Sequence, residues 1–156
     1  MVAKLDDMPG HLVRRFHQIT VAIFHAEMAK LDSDITPVQY AVLATVLENE
    51  GIDQATLAGL IAYDRTTIGG VIDRLVQRNW LVREVNGNDR RAHSLRGTVE
   101  AKQIIDRIAP GVERAQQVML QGLAHDEASE LMRLLGRAVT AANDLSRAPL
   151  RSKPER

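Results

Sequence analysis

A mainly α-helical chain carrying one small β-hairpin is the fold class this sequence predicts, on three observations. Apolar residues recur at helical spacing through most of the chain, as in Leu12, Phe16, Ile19 and Ile23. Two short helical phrases follow one another with only Ala62-Tyr63-Asp64 between them. Directly after them, two β-type runs flank Asn86-Gly87, a strong short-range hairpin signal.

Composition bounds the rest. A length of 156 residues fits one domain, or one domain with an appended helical module. Hydrophobic residues at 45% and charged residues at 26% are ordinary globular values, which argues against wholesale disorder. The absence of Cys excludes a disulfide scaffold, a thiol nucleophile and a Cys-ligated zinc. Aromatics are only 3%, too few for a base-stacking platform on single-stranded nucleic acid. No apolar run approaches the ~18–20 residues of a membrane span. Residues 1–10 lack the basic start and apolar stretch of a signal peptide, so the expected compartment is the cytoplasm, with no membrane partner.

The elements follow in order. The first helix is expected over 9–31, with Pro9 in its first turn and the loop LDSD closing it. Thr36 caps a second helix, with Pro37 behind it and Gly51 as a left-handed stop. Asp53 caps a short third helix, QATLAGLIA, and Asp64 caps a fourth, RTTIGGVIDRLVQR. The runs WLVREV and RRAHSLR make the hairpin. Residues 98–122 are helical, with a kink or split expected at Pro110-Gly111. Residues 126–146 form a last helix, and APLRSKPER reads as disordered.

Lys+Arg and Asp+Glu are 20 each, yet the charge is uneven. Residues 32–62 hold five acids and no Lys or Arg; residues 63–96 hold seven Arg against four acids, a local +3. Arginine forks onto phosphates and base edges, so this stretch is where an anionic polymer would dock; a solvated helix face with a charged turn is the plainer reading of charge alone.

Two helices joined by a tight turn and followed by a hairpin make a winged helix-turn-helix. Leu57, Ala58 and Ile61 face inward from the first of them, and Ile68, Val71, Ile72 and Leu75 from the second. That leaves Arg65, Thr66, Thr67, Gly69, Gly70 and Arg74 outward, on a helix that fits the major groove of double-stranded DNA and reads base edges from its N-terminal end. Gly69-Gly70 either lets the backbone approach a duplex or lets a neighbouring helix pack closely. At the hairpin, Arg90 and Arg91 can enter a narrow groove, with Asp89 bracing one of them.

Residues 35–95, ITPVQYAVLATVLENEGIDQATLAGLIAYDRTTIGGVIDRLVQRNWLVREVNGNDRRAHSL, resemble the MarR family of bacterial transcription regulators. The matching phrases are Thr36 to Leu43, Leu57-Ala58, Asp64 to Thr67, Val71 to Leu75, and the wing pattern Asp89-Arg90-Arg91. Three places depart from the pattern. Asn79-Trp80 stands where the family has Gly-Leu, though Asn tolerates the left-handed conformation a helix end needs. Leu95-Arg96-Gly97-Thr98-Val99 replaces Leu-Thr-x-x-Gly at the start of the next helix, and Ala124 stands near the place of the usual Ser cap of the last helix.

The resemblance implies a homodimer. Residues 9–31 and 98–146 would form the helical dimerisation region, 35–96 the DNA-binding domain, and 147–156 a disordered tail. The wide apolar stripes of the terminal helices agree, since nothing else in the chain covers them. Half-sites would then lie about one helical turn apart. The resemblance further implies repression relieved by a small aromatic or heteroaromatic acid bound between the first and second helices. The polar candidates there are Arg14, Arg15, His17, Gln39 and Tyr40. The phrase DQATLAGLIAYDRTTIGGVIDRL looks like regulators of aromatic-compound catabolism.

Two other readings stay open. In a metal-responsive regulator of this fold, His11, His17 and His25 would have to act across a dimer. At ~100° per residue the first two lie on different faces, and the last two stand ~12 Å apart in rise. The other reading is a helical protein-interaction module without DNA binding. Duplex binding, unlike that module's, should weaken steeply with salt. No phosphate-cradling Gly loop, nucleophile elbow or HExxH occurs, so no enzyme and no cofactor is expected.

Overall fold

The computed structural model describes residues 4–86 and 89–153, with side chains outside 86–93. Six helices and three strands appear in the order α1 (Pro9–Ala29), α2 (Pro37–Glu48), β1 (Ile52–Asp53), α3 (Gln54–Leu60), α4 (Arg65–Gln77), β2 (Leu81–Asn86), β3 (Asp89–Gly97), α5 (Val99–Met119) and α6 (His125–Ala141). Short 3-10 turns stand at Leu5–Asp7 and Asn143–Leu145.

Local side-chain chemistry starts and stops these helices. Thr36 Oγ1 accepts the Gln39 N–H and the Gln39 side chain accepts the Thr36 N–H, a reciprocal box at the start of α2. Asp53 and Asp64 cap α3 and α4 with the same D-x-x-T phrase. Each accepts the N–H of the Thr three residues on at 2.9 Å and its hydroxyl at 2.6 Å. Asn79 takes φ 57 just past α4, and the Trp80 N–H returns to the Leu75 carbonyl at 2.9 Å. The Asn in place of Gly therefore still ends the helix with a left-handed cap. Thr98 caps α5 by accepting the Ala101 N–H at 3.1 Å, so the unusual phrase before it starts the helix cleanly. At α6, Ala124 has no side-chain acceptor; Glu127 reaches back to its N–H at 2.8 Å instead.

The sheet is antiparallel in the order β1-β3-β2. The hairpin pairs Leu81 with Gly97 through Val85 with His93, then shifts register before Asn86 and Asp89. The Asn86-Gly87 turn expected at its tip lies outside the described residues. Strand β1 is a finding beyond the sequence reading. Ile52 and Asp53 pair with Leu95 and Ser94, which ties the start of α3 to the hairpin. Two residues are too few to show an alternating pattern, so nothing local announces this strand.

Buried residues from α1 to α5 make one core, with Met28, Leu43, Leu57, Ile72, Leu75 and Ile108 wholly inside. Ala58 is buried where α3 meets α4. The split expected at Pro110-Gly111 does not occur: α5 runs unbroken across it. Its inner face, Ala101, Ile104, Ile108, Gly111 and Ala115, keeps helical spacing past the proline and packs on α1. Gly111 permits this closeness, since a Cβ there would stand 2.7 Å from Leu31 Cδ1 and 2.9 Å from Met28 Cε. The same seam holds a buried carboxylate, Glu27, between Lys30 Nζ at 2.5 Å and Arg114 Nε at 3.2 Å. These two cations, Lys30 first, hold the Glu27 carboxyl below its usual range against the opposing effect of burial.

Helix α6 differs from the others. It is amphipathic but has no buried residue, and Met132, Leu134 and Val139 are exposed. On α1, Leu12, Val13 and Ile19 are exposed too, along an apolar gap of about 410 Å³ between α1 and α6. Residues 147–153, expected to be disordered, lie back against α3. The Asn143 side chain holds both polar groups of the Leu150 backbone, and the Arg151 N–H donates to the Gly59 carbonyl at 2.9 Å. No helix among the described residues is long and apolar enough to cross a membrane.

Candidate nucleic-acid interface and adjoining cleft

Helix α4 presents the outward face its spacing demands. Ile68, Val71, Ile72 and Leu75 are buried, while Arg65, Thr66, Thr67, Gly70 and Arg74 are exposed. The Asp64 carboxylate at its N-terminus is taken up by Thr67, whose hydroxyl is the chief cause of a lowered carboxyl pKa. That acid is therefore engaged by its own helix, and contact with an anion falls to the exposed side chains of α4. The Thr67 hydroxyl donates its proton to Asp64 at 2.6 Å, while the Thr66 hydroxyl has no hydrogen bond among the described residues.

The two glycines of α4 separate. Gly69 is half-buried, and a Cβ there would meet the Gln54 side chain at 3.3 Å. Gly70 is exposed with open space beyond it. Packing accounts for the first and not for the second.

Ion pairs sort the arginines of the 63–96 stretch. Arg78 pairs with Asp34 at 2.6 Å and lies 4.0 Å over the Trp80 ring. Arg83 on β2 pairs with Asp73 on α4 at 2.6 Å, bracing the hairpin against that helix. Arg96 bridges Glu84 at 2.8 Å and Glu50 at 3.2 Å. Arg65 and Arg74 have no ion pair among the described residues. The scaffold thus neutralises three arginines and leaves two on the outward face of α4. Asp89, Arg90 and Arg91 belong to the tip half of β3, and their side chains lie outside the described residues.

A second feature lies on the other side of the lobe. A cleft of about 300 Å³ opens between α1, α2 and α5, lined by His17, Phe24, Tyr40, Val112, Gln116 and Met119 among others. Of the five residues expected there, His17 and Tyr40 share it. Arg14 instead bonds Gln18 at 2.7 Å, Arg15 faces Asp6 at 3.5 Å and lines the α1–α6 gap, and Gln39 is the buried capping residue of α2. Tyr40 stacks obliquely on Phe24, with ring centroids 6.2 Å apart. Thr20 also lines the cleft, but its hydroxyl donates to the His17 carbonyl. Gln116 is the polar residue that sequence reasoning missed, because nothing local says which face of α5 meets α1. Among the described residues no three His, Asp or Glu side chains gather as metal ligands within one chain.

Comparison with known proteins adds to this geometry. The MarR family model matches residues 35–93. The chain is 30% identical over 132 residues to a putative transcriptional regulatory protein for the hcr operon of Thauera aromatica, covering 83% of this chain and 80% of that one. The PcaV transcriptional regulator of Streptomyces coelicolor, solved with its natural ligand, superposes with TM-score 0.83 at 33% identity, over 91% of this chain and 99% of that one. Bordetella bronchiseptica BpsR, whose DNA binding is regulated by 6-hydroxynicotinic acid, superposes with TM-score 0.82 at 28% identity, over 88% of this chain and 97% of that one.

Proposed function

The chain belongs to the MarR family of transcriptional regulators, not to an enzyme family, and on that premise we propose that it is a ligand-responsive repressor. It binds a pseudo-palindromic operator as a homodimer and is released by a small aromatic or heteroaromatic acid. The observation that carries the reading is α4. Its N-terminus is capped by a carboxylate already engaged, and its free arginines, Thr66 and a bare Gly70 share the solvent face. Such a face suits base edges and phosphates of a major groove. The hairpin, braced to α4 through Arg83 and Asp73, suits a wing whose Arg90 and Arg91 reach the adjacent groove.

The homodimer is supported by α6. An amphipathic helix of 17 residues without one buried side chain is unstable as a solvated surface. A second copy docking its own α1 and α6 would fill the apolar gap and cover Leu12, Ile19 and Val139. The effector reading is supported by the His17–Tyr40 cleft. His17 and Gln116 offer polar partners for a carboxylate, while Phe24, Val112 and Met119 receive a ring. The cleft joins α1 and α5 to α2, so a ligand there alters how the DNA-binding lobe sits on the helices that set dimer spacing. Moving the population from nearly all competent to nearly all released requires about a 10⁴-fold preference for the released arrangement.

Duplex binding measured across a salt series, followed by calorimetry with 6-hydroxynicotinic acid and a panel of benzoates, tests the reading. Steep salt dependence and an acid that weakens duplex affinity are expected. Salt-independent association, or no duplex binding at low salt, overturns it in favour of a protein-interaction module.

A further inference from the structure

Residues 147–153 contain Arg147, Arg151 and Lys153 and no acid. They do not trail into solvent. The Asn143 amide donates to the Leu150 carbonyl at 3.1 Å and accepts its N–H at 2.8 Å, folding the chain back after α6. The Arg151 N–H then donates to the Gly59 carbonyl at 2.9 Å, near the end of α3, an oxygen that also accepts the Ala62 N–H at 3.3 Å. Lys153 Nζ donates to Asn49 Oδ1 at 3.1 Å. Gly59 makes the approach possible, since a Cβ there would stand 3.2 Å from Arg151 Cβ. The anchors are thus backbone bonds, a close fit and one lysine, which leave both arginine heads uncommitted.

Those heads stand beside the recognition helix. Arg147, Arg151 and Arg65 line one cleft of about 430 Å³, together with Tyr63 and Asp64. Its acid, Asp64, is held by Thr67. Arg147 and Arg151 are exposed and have no ion pair among the described residues. Three arginines lining one cleft against a single carboxylate leave it net positive, and the guanidinium fork is the geometry that binds phosphate. In helix-turn-helix docking the first helix crosses the DNA backbone while the second enters the groove. A segment lying on α3, next to the N-terminal end of α4, is therefore carried to the phosphates flanking the base contacts.

We propose that residues 147–153 are a third DNA-contacting element, in which Arg147 and Arg151 grip backbone phosphates beside the N-terminus of α4. The proposal rests on the DNA-binding reading and adds to it a contact outside the helix-turn-helix and wing. Phosphate contacts set register and affinity and carry no base information. Each also releases condensed counterions, adding about 0.9 to the slope of log affinity against log salt.

The test compares the wild-type chain with the double variant Arg147→Gln, Arg151→Gln on an operator duplex and on an unrelated duplex, across a salt series. The double variant is expected to unfold at the wild-type temperature, to bind both duplexes more weakly by a similar factor, and to lose about 1.8 from the salt slope per bound subunit, about 3.6 for the homodimer. Gly59→Leu, which keeps every charge but pushes the segment off α3, is expected to weaken both duplexes likewise. A chain ending at Ser146 should match the double variant. If the wild type binds duplex and the double variant keeps both its affinity and its slope, the clamp is overturned while the DNA-binding reading stands. A loss confined to the operator duplex, or tighter binding on removing the segment, overturns it as well. A wild type that binds no duplex overturns both readings together.

Discussion

Gly70→Ala should raise stability and lower DNA affinity at the same time. The position is exposed, in the middle of α4, and an added Cβ meets nothing within 4 Å. Nothing in the folded chain resists it, so the change acts through helix propensity alone. Ala exceeds Gly by ~0.8–1.0 kcal/mol inside a helix. For a chain of this size that is a gain of roughly 2–4 °C in Tm per kcal/mol, read at fixed protein concentration. On the proposed DNA-binding reading, the same methyl group projects from the face that would enter the groove. If the backbone there lies against the duplex, forcing a carbon into the contact costs about 1–3 kcal/mol for each bound helix, a roughly 5- to 150-fold loss of affinity per subunit. Gly69→Ala is the internal control. Its Cβ meets the end of the flexible Gln54 side chain at 3.3 Å and faces α3, so duplex affinity should be unchanged. Differential scanning calorimetry and fluorescence anisotropy on a labelled operator measure the two effects separately. A Gly70→Ala protein that is more stable and binds DNA as well as wild type refutes the close approach.

Three further predictions concern the scaffold. Ala62 holds φ 54 in the turn of the helix-turn-helix, a conformation that costs an L-residue about 1–2 kcal/mol, so Ala62→Gly should stabilise the chain by a fraction of that in denaturant titration, the glycine's greater unfolded freedom offsetting the rest. Glu27, buried between Lys30 and Arg114, has a lowered pKa, so its ion pairs stabilise the fold above the ordinary carboxyl value near 4.5 and lose that effect as pH falls through the folded value. Unfolding curves of wild type and Glu27→Gln should accordingly differ most at neutral pH and converge below about pH 4.5; a gap that persists or widens in acid contradicts the assignment. Val139→Asp, on the uncovered face of α6, should raise the dimer dissociation constant at least about 100-fold by sedimentation, because a two-fold interface counts each loss of about 1.5–3 kcal/mol twice.

What sequence alone determined about this protein is what neighbours three or four residues apart decide. The caps at Thr36, Asp53 and Asp64 and the left-handed Asn79 are local geometry, and each is legible because its partners are close in the chain, whereas the reciprocal role of Gln39 in the Thr36 cap was not read there. The inward and outward faces of α4 follow from its period in the same way. The exposed face of α4 was therefore readable from the sequence, and the phrase D-x-x-T, repeated at Asp53 and Asp64, signals the two threonine-assisted caps.

Tertiary structure alone decided the contacts between distant segments. Strand β1 exists only because Leu95 and Ser94 come alongside it. Arg83, Arg78 and Arg96 look like free cations in sequence and become braces only once Asp73, Asp34 and Glu84 are brought to them. His17 and Tyr40 reach one cleft while Arg14, Arg15 and Gln39 turn away, a choice made by how α1 rotates against α2 and α5. The last segment carries the same lesson. A polar, proline-bearing stretch has too little apolar surface to order itself, and its order comes from a bare glycine and a helix-end carbonyl far earlier in the chain. Propensity acts through adjacent backbone, whereas ion pairs, clefts and docked segments depend on the relative placement of whole elements.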